Sequence, residues 1–251
     1  MSGHSKWATT KYRKGAQDKA RAKLFAKLIR QLEVAASEGG SDINANATLR
    51  TAYAKARDAS VPMNTIERAI KRGTGELEGV KYDAISYEGY GPNGIAIIVE
   101  TLSDNRNRTG SEIKTVFSRN GGSMAEPGSV AWQFSRKAVA LFESDKDEDT
   151  VLSELLECNI EDLSQKDRVF KVIGEPNTLH DLVSIINTNN WKLVSADNEL
   201  IASQTIDLKD INEAKKILKL LDALEENDDV QNIYDNASVS DEIMVQIENE
   251  D

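Results

Sequence analysis

Between Lys6 and Arg30 the chain carries nine basic side chains and a single acid, Asp18. Cations at this density do one kind of chemistry well: they neutralise phosphates and release the counterions condensed on a polyanion. Lys19, Lys23, Lys27 and Arg30 follow steps of four, four and three residues, so on a helix they share one face. Like charges four residues apart repel and weaken a helix. A polyanion laid along that face removes the repulsion. The candidate contacts are Lys6, Lys11, Arg13, Lys14, Lys19, Lys23, Lys27 and Arg30, with Trp7 and Tyr12 among them. Each aromatic can stack on an exposed base, worth about 1–3 kcal/mol; the alternative for Trp7 is that it packs back on the bundle as an apolar anchor.

A second polar cluster, Asp104-Asn105-Arg106-Asn107-Arg108, stands between an apolar run and a helical pattern. One reading has Asp104 or Asn105 capping the helix while the arginines are solvated or paired to acids. The other makes Asn105, Arg106, Asn107 and Arg108 a second contact, since arginine forks and amides suit phosphates and bases. Other chemistry is sparse. Cys158, the single cysteine, ends an apolar helical pattern and reads as a buried structural thiol. One cysteine allows no intramolecular disulfide, which suits a reducing compartment. His4 and His180 lie far apart, and there is no CxxC, HExxH or GxSxG. GYGPNG lacks the Lys-Ser/Thr of a phosphate loop and precedes a strand. The expectation is no catalytic residue, no metal, no cofactor and no small-molecule substrate: a protein that is not an enzyme.

The charge is divided sharply. Residues 1–75 hold 15 Lys and Arg against 6 Asp and Glu, net +9; residues 76–251 hold 16 against 36, net -20. A basic module meeting a polyanion, joined to a body that repels one, explains the division. Only one end of the molecule is then expected to touch nucleic acid, while the acidic body either faces outward or meets a basic protein of the ribosome or the transcription machinery. No apolar run approaches the roughly 18 residues of a membrane span, and no apolar segment follows the early charges as in a secretory signal. A cytoplasmic, membrane-free protein is expected.

The elements that would position these residues can be read from periodicity. Residues 1–16 have no helical pattern and read as an arm. From about Asp18 a helix places Leu24, Phe25, Leu28, Ile29, Leu32 and Ala36 on an apolar stripe and stops at Glu38-Gly39-Gly40. A second helix spans about Asn46 to Ser60. A third begins at Asn64 with Glu67 as a capping box and ends at Gly73 as a residue just past the helix. After residue 78, DAISYEGY and IAIIVETL form a hairpin about GPNG, a helix follows the polar cluster, and SVAWQF reads as a third strand. From Ala138 the order strand, helix, two strands, helix, strand is that of a ferredoxin-like unit. The tail supplies the helix and strand that the first sheet lacks. The fold class is α+β: an N-terminal three-helix domain followed by two ferredoxin-like α+β domains, one inserted in the other. The expected boundaries are 1–78, then 79–137 plus 206–240 as the host, 138–205 as the insert, and 241–251 as an acidic tail.

GHSKWATTKYRKGAQD, ERAIKRGTGE, YEGYGPNGIAIIVETLSDNRNRTGSEIKTVFSRNGG and GSVAWQF closely resemble the YebC/PmpR family, which has a eukaryotic relative that activates mitochondrial translation of cytochrome c oxidase. The resemblance runs along nearly the whole chain, most specifically to about residue 135. It implies three domains without enzymatic activity, acting as a cytoplasmic DNA-binding regulator of transcription. The alternative it implies is a ribosome-associated translation factor that binds rRNA or tRNA and relieves stalling on proline-rich stretches. Carried onto this chain, the nucleic-acid face would be Lys6, Trp7, Lys11, Arg13, Lys14, Lys19, Lys23 and Lys27.

Overall fold

The structure, a computed structural model, describes residues 17–250. Three helices come first: α1 (Gln17–Gly39), α2 (Ala47–Asp58) and α3 (Met63–Gly73). Then follow β1 (Asp83–Tyr90), β2 (Ala96–Ser103), α4 (Arg106–Arg119) and β3 (Ser123–Ala125). The next run is β4 (Phe134–Glu143), α5 (Glu148–Leu155), β5 (Ile160–Lys166), β6 (Val169–Gly174), α6 (Leu179–Thr188) and β7 (Lys192–Ala202). The chain closes with β8 (Ile206–Leu208), α7 (Ile211–Glu225), β9 (Val230–Asp235), β10 (Ala237–Val239) and α8 (Asp241–Glu250). The class is α+β, helices first and antiparallel sheets after, with one sheet assembly inserted in the other. Two compact units result: the described residues through Ala131 together with those from Thr205 on, and Trp132–Gln204.

In the helical bundle, Leu28, Leu32, Ala35 and Ala36 of α1 pack on Leu49, Ala52 and Ala56 of α2 and Ile66 and Ala69 of α3. Asn46 staples the first turn. Its side chain accepts from the Leu49 amide at 3.0 Å, capping α2, and donates to the Ala35 and Gly40 carbonyls at 2.7 and 2.9 Å. The α3 helix differs from its sequence reading at both ends. It starts at Met63 behind Pro62, whose carbonyl accepts from Thr65 and Ile66, and no side chain caps it. The proline presets the backbone torsion, so the Asn64–Glu67 capping box is not needed. Gly73 is the last helical residue rather than the one past it. It is a glycine because a Cβ there would run into the Glu33 carbonyl and lie 2.8 Å from the Ala36 methyl. The same crossing carries an ion pair, with Arg72 Nε donating to Glu33 Oε1 at 2.7 Å.

The host sheet is antiparallel, in the order β3-β1-β2-β9, with connectivity ββαβ and then αβ from the returning chain. Ile97 and Val99 of β2 meet Ile113 and Phe117 of α4 and Ile217, Leu220 and Leu224 of α7 in one core. The third strand is Ser123–Ala125, pairing with β1; SVAWQF is not a strand of this sheet. The cause is Glu88. Its buried carboxylate accepts from the Gly128, Val130 and Ala131 amides at 2.6, 2.7 and 2.9 Å and folds this segment into a loop. Ala131–Gln133 is a single 3-10 turn, and Phe134 already begins the insert's first strand, so the insert starts at Trp132 rather than Ala138.

The insert runs βαββαβ with its sheet in the order β5-β6-β4-β7, the ferredoxin-like arrangement. Phe142 stacks between Phe170 (5.5 Å) and Trp191 (4.9 Å) at its centre. Cys158 is buried in this core. Burial, then Asp181 and Glu157, push its thiol pKa up, which keeps it protonated and inert. The segment expected as an acidic tail is the helix α8, whose Ile243, Met244 and Ile247 pack on the host core.

Candidate nucleic-acid interface

Lys6, Trp7, Lys11, Tyr12, Arg13 and Lys14 lie outside the described residues. Lys19 falls on the first turns of α1. The remaining three of the cationic stripe, Lys23, Lys27 and Arg30, face the acidic edge of the host sheet assembly. Lys23 Nζ lies 3.8 Å from Glu226 Oε2, and Lys27 Nζ donates to the Gln231 carbonyl at 3.5 Å. Next to them Gln31 Nε2 donates to Gln231 Oε1 at 3.3 Å. Arg30 is held most firmly. Its Nη1 donates to Asp229 Oδ1 at 2.8 Å and to the Asp228 carbonyl at 2.7 Å, and its guanidinium sits 5.3 Å over the Tyr82 ring. Helical periodicity had set these side chains on one face, as observed. What that face meets in the folded chain is the edge between α7 and β9.

The second polar cluster arrives at the same place. Asn105 caps α4, its side chain accepting from the Arg108 amide at 3.1 Å. Arg108 Nη2 donates to Asp104 Oδ1 at 2.9 Å and to Asp229 Oδ2 at 2.6 Å, and its Nε lies 3.9 Å from Glu112. Arg106 and Asn107 are exposed. Thus two of the four cluster side chains are paired within the chain, although all four residues are exposed.

Asp229 is the meeting point. Its carboxylate, 5% exposed, receives Arg30, Arg108 and the Thr109 hydroxyl, the last at 2.5 Å. Ser103 and Thr109 share a further 2.6 Å bond beneath it. Burial pushes the Asp229 pKa up, but the Thr109 and Arg108 hydrogen bonds and the charges of Arg30 and Arg108 outweigh it and hold the carboxyl below its ordinary value. The same pairing, through hydrogen bond and charge, raises Arg108. Asp229 carries no signal in the sequence: it is one of a run of acids, 199 residues from Arg30. Only the tertiary fold distinguishes it from Asp228. Among the described residues, no group of three or more His, Cys, Asp and Glu side chains is placed to hold a metal ion, and no helix is long and apolar enough to cross a membrane.

An α+β chain that leads with a basic helical bundle and carries one sheet assembly inside another defines a recognisable class. Its N-terminal region matches the family model described as "TACO1/YebC protein N-terminal domain" over residues 5–76. Residues 82–237 match "TACO1/YebC second and third domain". The chain belongs to the TACO1/YebC family. A relative from Halothermothrix orenii is 47% identical over the full length of both chains, and one from Acidithiobacillus ferrooxidans is 46% identical over 99% of each. Both bear the name "Probable transcriptional regulatory protein". The crystal structure of a conserved hypothetical protein from Aquifex aeolicus superposes with a TM-score of 0.85 at 37% identity, covering 96% of this chain and 99% of that one.

Proposed function

We propose that this protein is a non-enzymatic, cytoplasmic regulator of gene expression that binds nucleic acid through phosphate contacts from its basic N-terminal domain. The observation that carries the reading is the charge division, net +9 over residues 1–75 against net -20 over the rest. The regulatory name borne by relatives that are 46–47% identical over nearly their whole length supports it. In this reading Lys6, Lys11, Arg13, Lys14 and Lys19 lead the contact, and Trp7 and Tyr12 add stacking on bases. DNA is the ligand that the relatives' name favours.

A second reading, a translation factor working on ribosomal or transfer RNA, is favoured by the character of the leading segment. It is lysine-rich, with no Asn–Gln–Arg set at a helix start of the kind that reads base edges. Such a surface selects by charge and shape more than by sequence. The test is fluorescence anisotropy of the full chain against duplex DNA and against a structured RNA across a salt series. Salt-sensitive binding is expected, with any preference between the two probes deciding between the readings. Binding to neither at low salt would overturn both.

A further inference from the structure

The stripe that the proposed function assigns to phosphates is, in part, already neutralised by the chain itself. At and beside the Asp229 carboxylate stand Lys23, Lys27, Arg30 and Arg108, four cations. Against them stand Asp104, Glu112, Glu226, Asp228 and Asp229, five acids. A polyanion reaching this end of α1 finds no net positive charge, and Glu226 and Asp228 repel it. Lys23, Lys27 and Arg30 can hold the host's acidic edge or a phosphate backbone, but not both at full strength.

The junction that holds them is built to part. Of the apolar residues of α1, Leu28, Leu32, Ala35 and Ala36 are buried in the bundle core, with Phe25 and Ile29 packed against it, while Leu24 is exposed. None of them belongs to the host core. What joins α1 to the host is polar: Lys23 to Glu226, Lys27 and Gln31 to Gln231, and Arg30 to Asp228 and Asp229, with Arg30 over Tyr82. Separating such a surface exposes no hydrophobic core, and polar junctions between modules of one chain are the kind that move. The connector permits it. Gly75–Lys81 is exposed throughout and has no helix or strand. Its seven residues reach roughly 23 Å when extended.

We infer that the α1–host junction is a polyanion-released clasp: a nucleic-acid backbone competes with the Glu226–Asp229 edge for Lys23, Lys27 and Arg30, and full binding frees the bundle from the host. This rests on the nucleic-acid reading above. Release adds Lys23, Lys27 and Arg30 to the phosphate contacts. Because both the closed and the open state bind, affinity is graded, and the closed state sets the weaker limit.

The test uses the full chain with Gln31→Cys and Gln231→Cys, joined by a short bis-maleimide; buried Cys158 is shielded from the reagent. The comparison is the same double variant capped with N-ethylmaleimide. Binding is read by anisotropy on a 30-base-pair DNA duplex and on an RNA hairpin. The linked chain is expected to bind at least about tenfold more weakly than the capped one, with a shallower salt slope, on whichever probe is the ligand. A second variant, Glu226→Gln with Asp228→Asn, keeps the fold's buried Asp229 and is expected to bind several-fold more tightly than wild type. Equal affinity of linked and capped chains, or no gain from the second variant, overturns the clasp while leaving nucleic-acid binding standing. A capped chain and wild type that bind neither probe overturn the clasp and the parent reading together.

Discussion

Replacing Asp229 with asparagine removes one negative charge and little volume from the point where α1, α4 and β9 meet. The carboxylate receives Arg30 at 2.8 Å, Arg108 at 2.6 Å and Thr109 at 2.5 Å. Hydrogen bonds to a charged group are worth about 1.5–3 kcal/mol each. Asparagine keeps one acceptor oxygen and presents an amide that cannot accept from the second arginine. Both arginines reach water, with 21% and 43% of their side chains exposed, so part of the loss is recovered by solvation. The expected cost of Asp229→Asn is therefore about 2–3 kcal/mol, below the roughly 3–5 kcal/mol of a fully buried broken pair. At about 2–4 °C per kcal/mol for a chain of this length, the melting temperature falls by roughly 4–12 °C. Urea unfolding followed by far-UV circular dichroism, with hydrogen exchange at α1 and β9, measures it. The pH dependence adds a sign. The folded-state pKa of Asp229 is depressed, so its contribution is complete above the ordinary Asp value of 3.8 and is lost as pH falls through the folded value. The gap between wild type and variant should thus narrow steadily below about pH 4. A gap under about 0.5 kcal/mol at pH 7, or one that widens in acid, would refute the assignment of Asp229 as the junction's anchor.

Other outcomes follow from the same geometry. Glu88→Gln should cost about 1–3 kcal/mol at pH 7, since the carboxylate serves three backbone amides. Burial pushes the Glu88 pKa up, but those three bonds bring it below its ordinary value. Its contribution therefore persists above about pH 4.5 and fades beneath, which acid titration of the two proteins checks. Gly73→Ala should destabilise the bundle by about 2–3 kcal/mol through overpacking against Glu33 and Ala36. Loss of exchange protection confined to α1–α3 is the readout. Gly89→Ala puts a methyl within 2.8 Å of the Phe117 ring and should cost a similar amount in the host core, read by thermal unfolding.

Elements whose signals are local were legible in the sequence. DAISYEGY is β1 residue for residue, because strict alternation followed by GPNG describes a hairpin arm and its turn. The βαββαβ order from Ala138 names the sheet order of the insert, since short connections leave that chain few ways to pair. The cationic face of α1 follows from helical geometry alone. The misses are interactions between distant residues. SVAWQF looks like a strand, but Glu88, some 40 residues earlier in the chain, claims the amides of Val130 and Ala131 within it and of Gly128 beside it. Gly73 looks like a helix stop, but it marks where α3 crosses α1. DEIMVQIENE looks like an acidic tail because its three packing residues are outnumbered by charges. Most consequential for the site, nothing near Lys23 or Arg30 announces Glu226 or Asp229. The stripe reads as waiting for an external anion when part of it already holds an internal one.

The measurement that bears most directly on function is the salt dependence of nucleic-acid binding with Lys6, Lys11, Lys14, Lys19, Lys23 and Lys27 changed to glutamine. With six to eight phosphate contacts, log affinity of wild type for duplex DNA should fall against log salt with a slope of roughly -5 to -7, or about -4 to -6 on single strands. Each lysine removed should flatten the slope by about 0.7–0.9, leaving the variant with weak binding and little salt dependence. A variant that binds DNA, RNA or ribosomes with the affinity and slope of wild type would contradict the account.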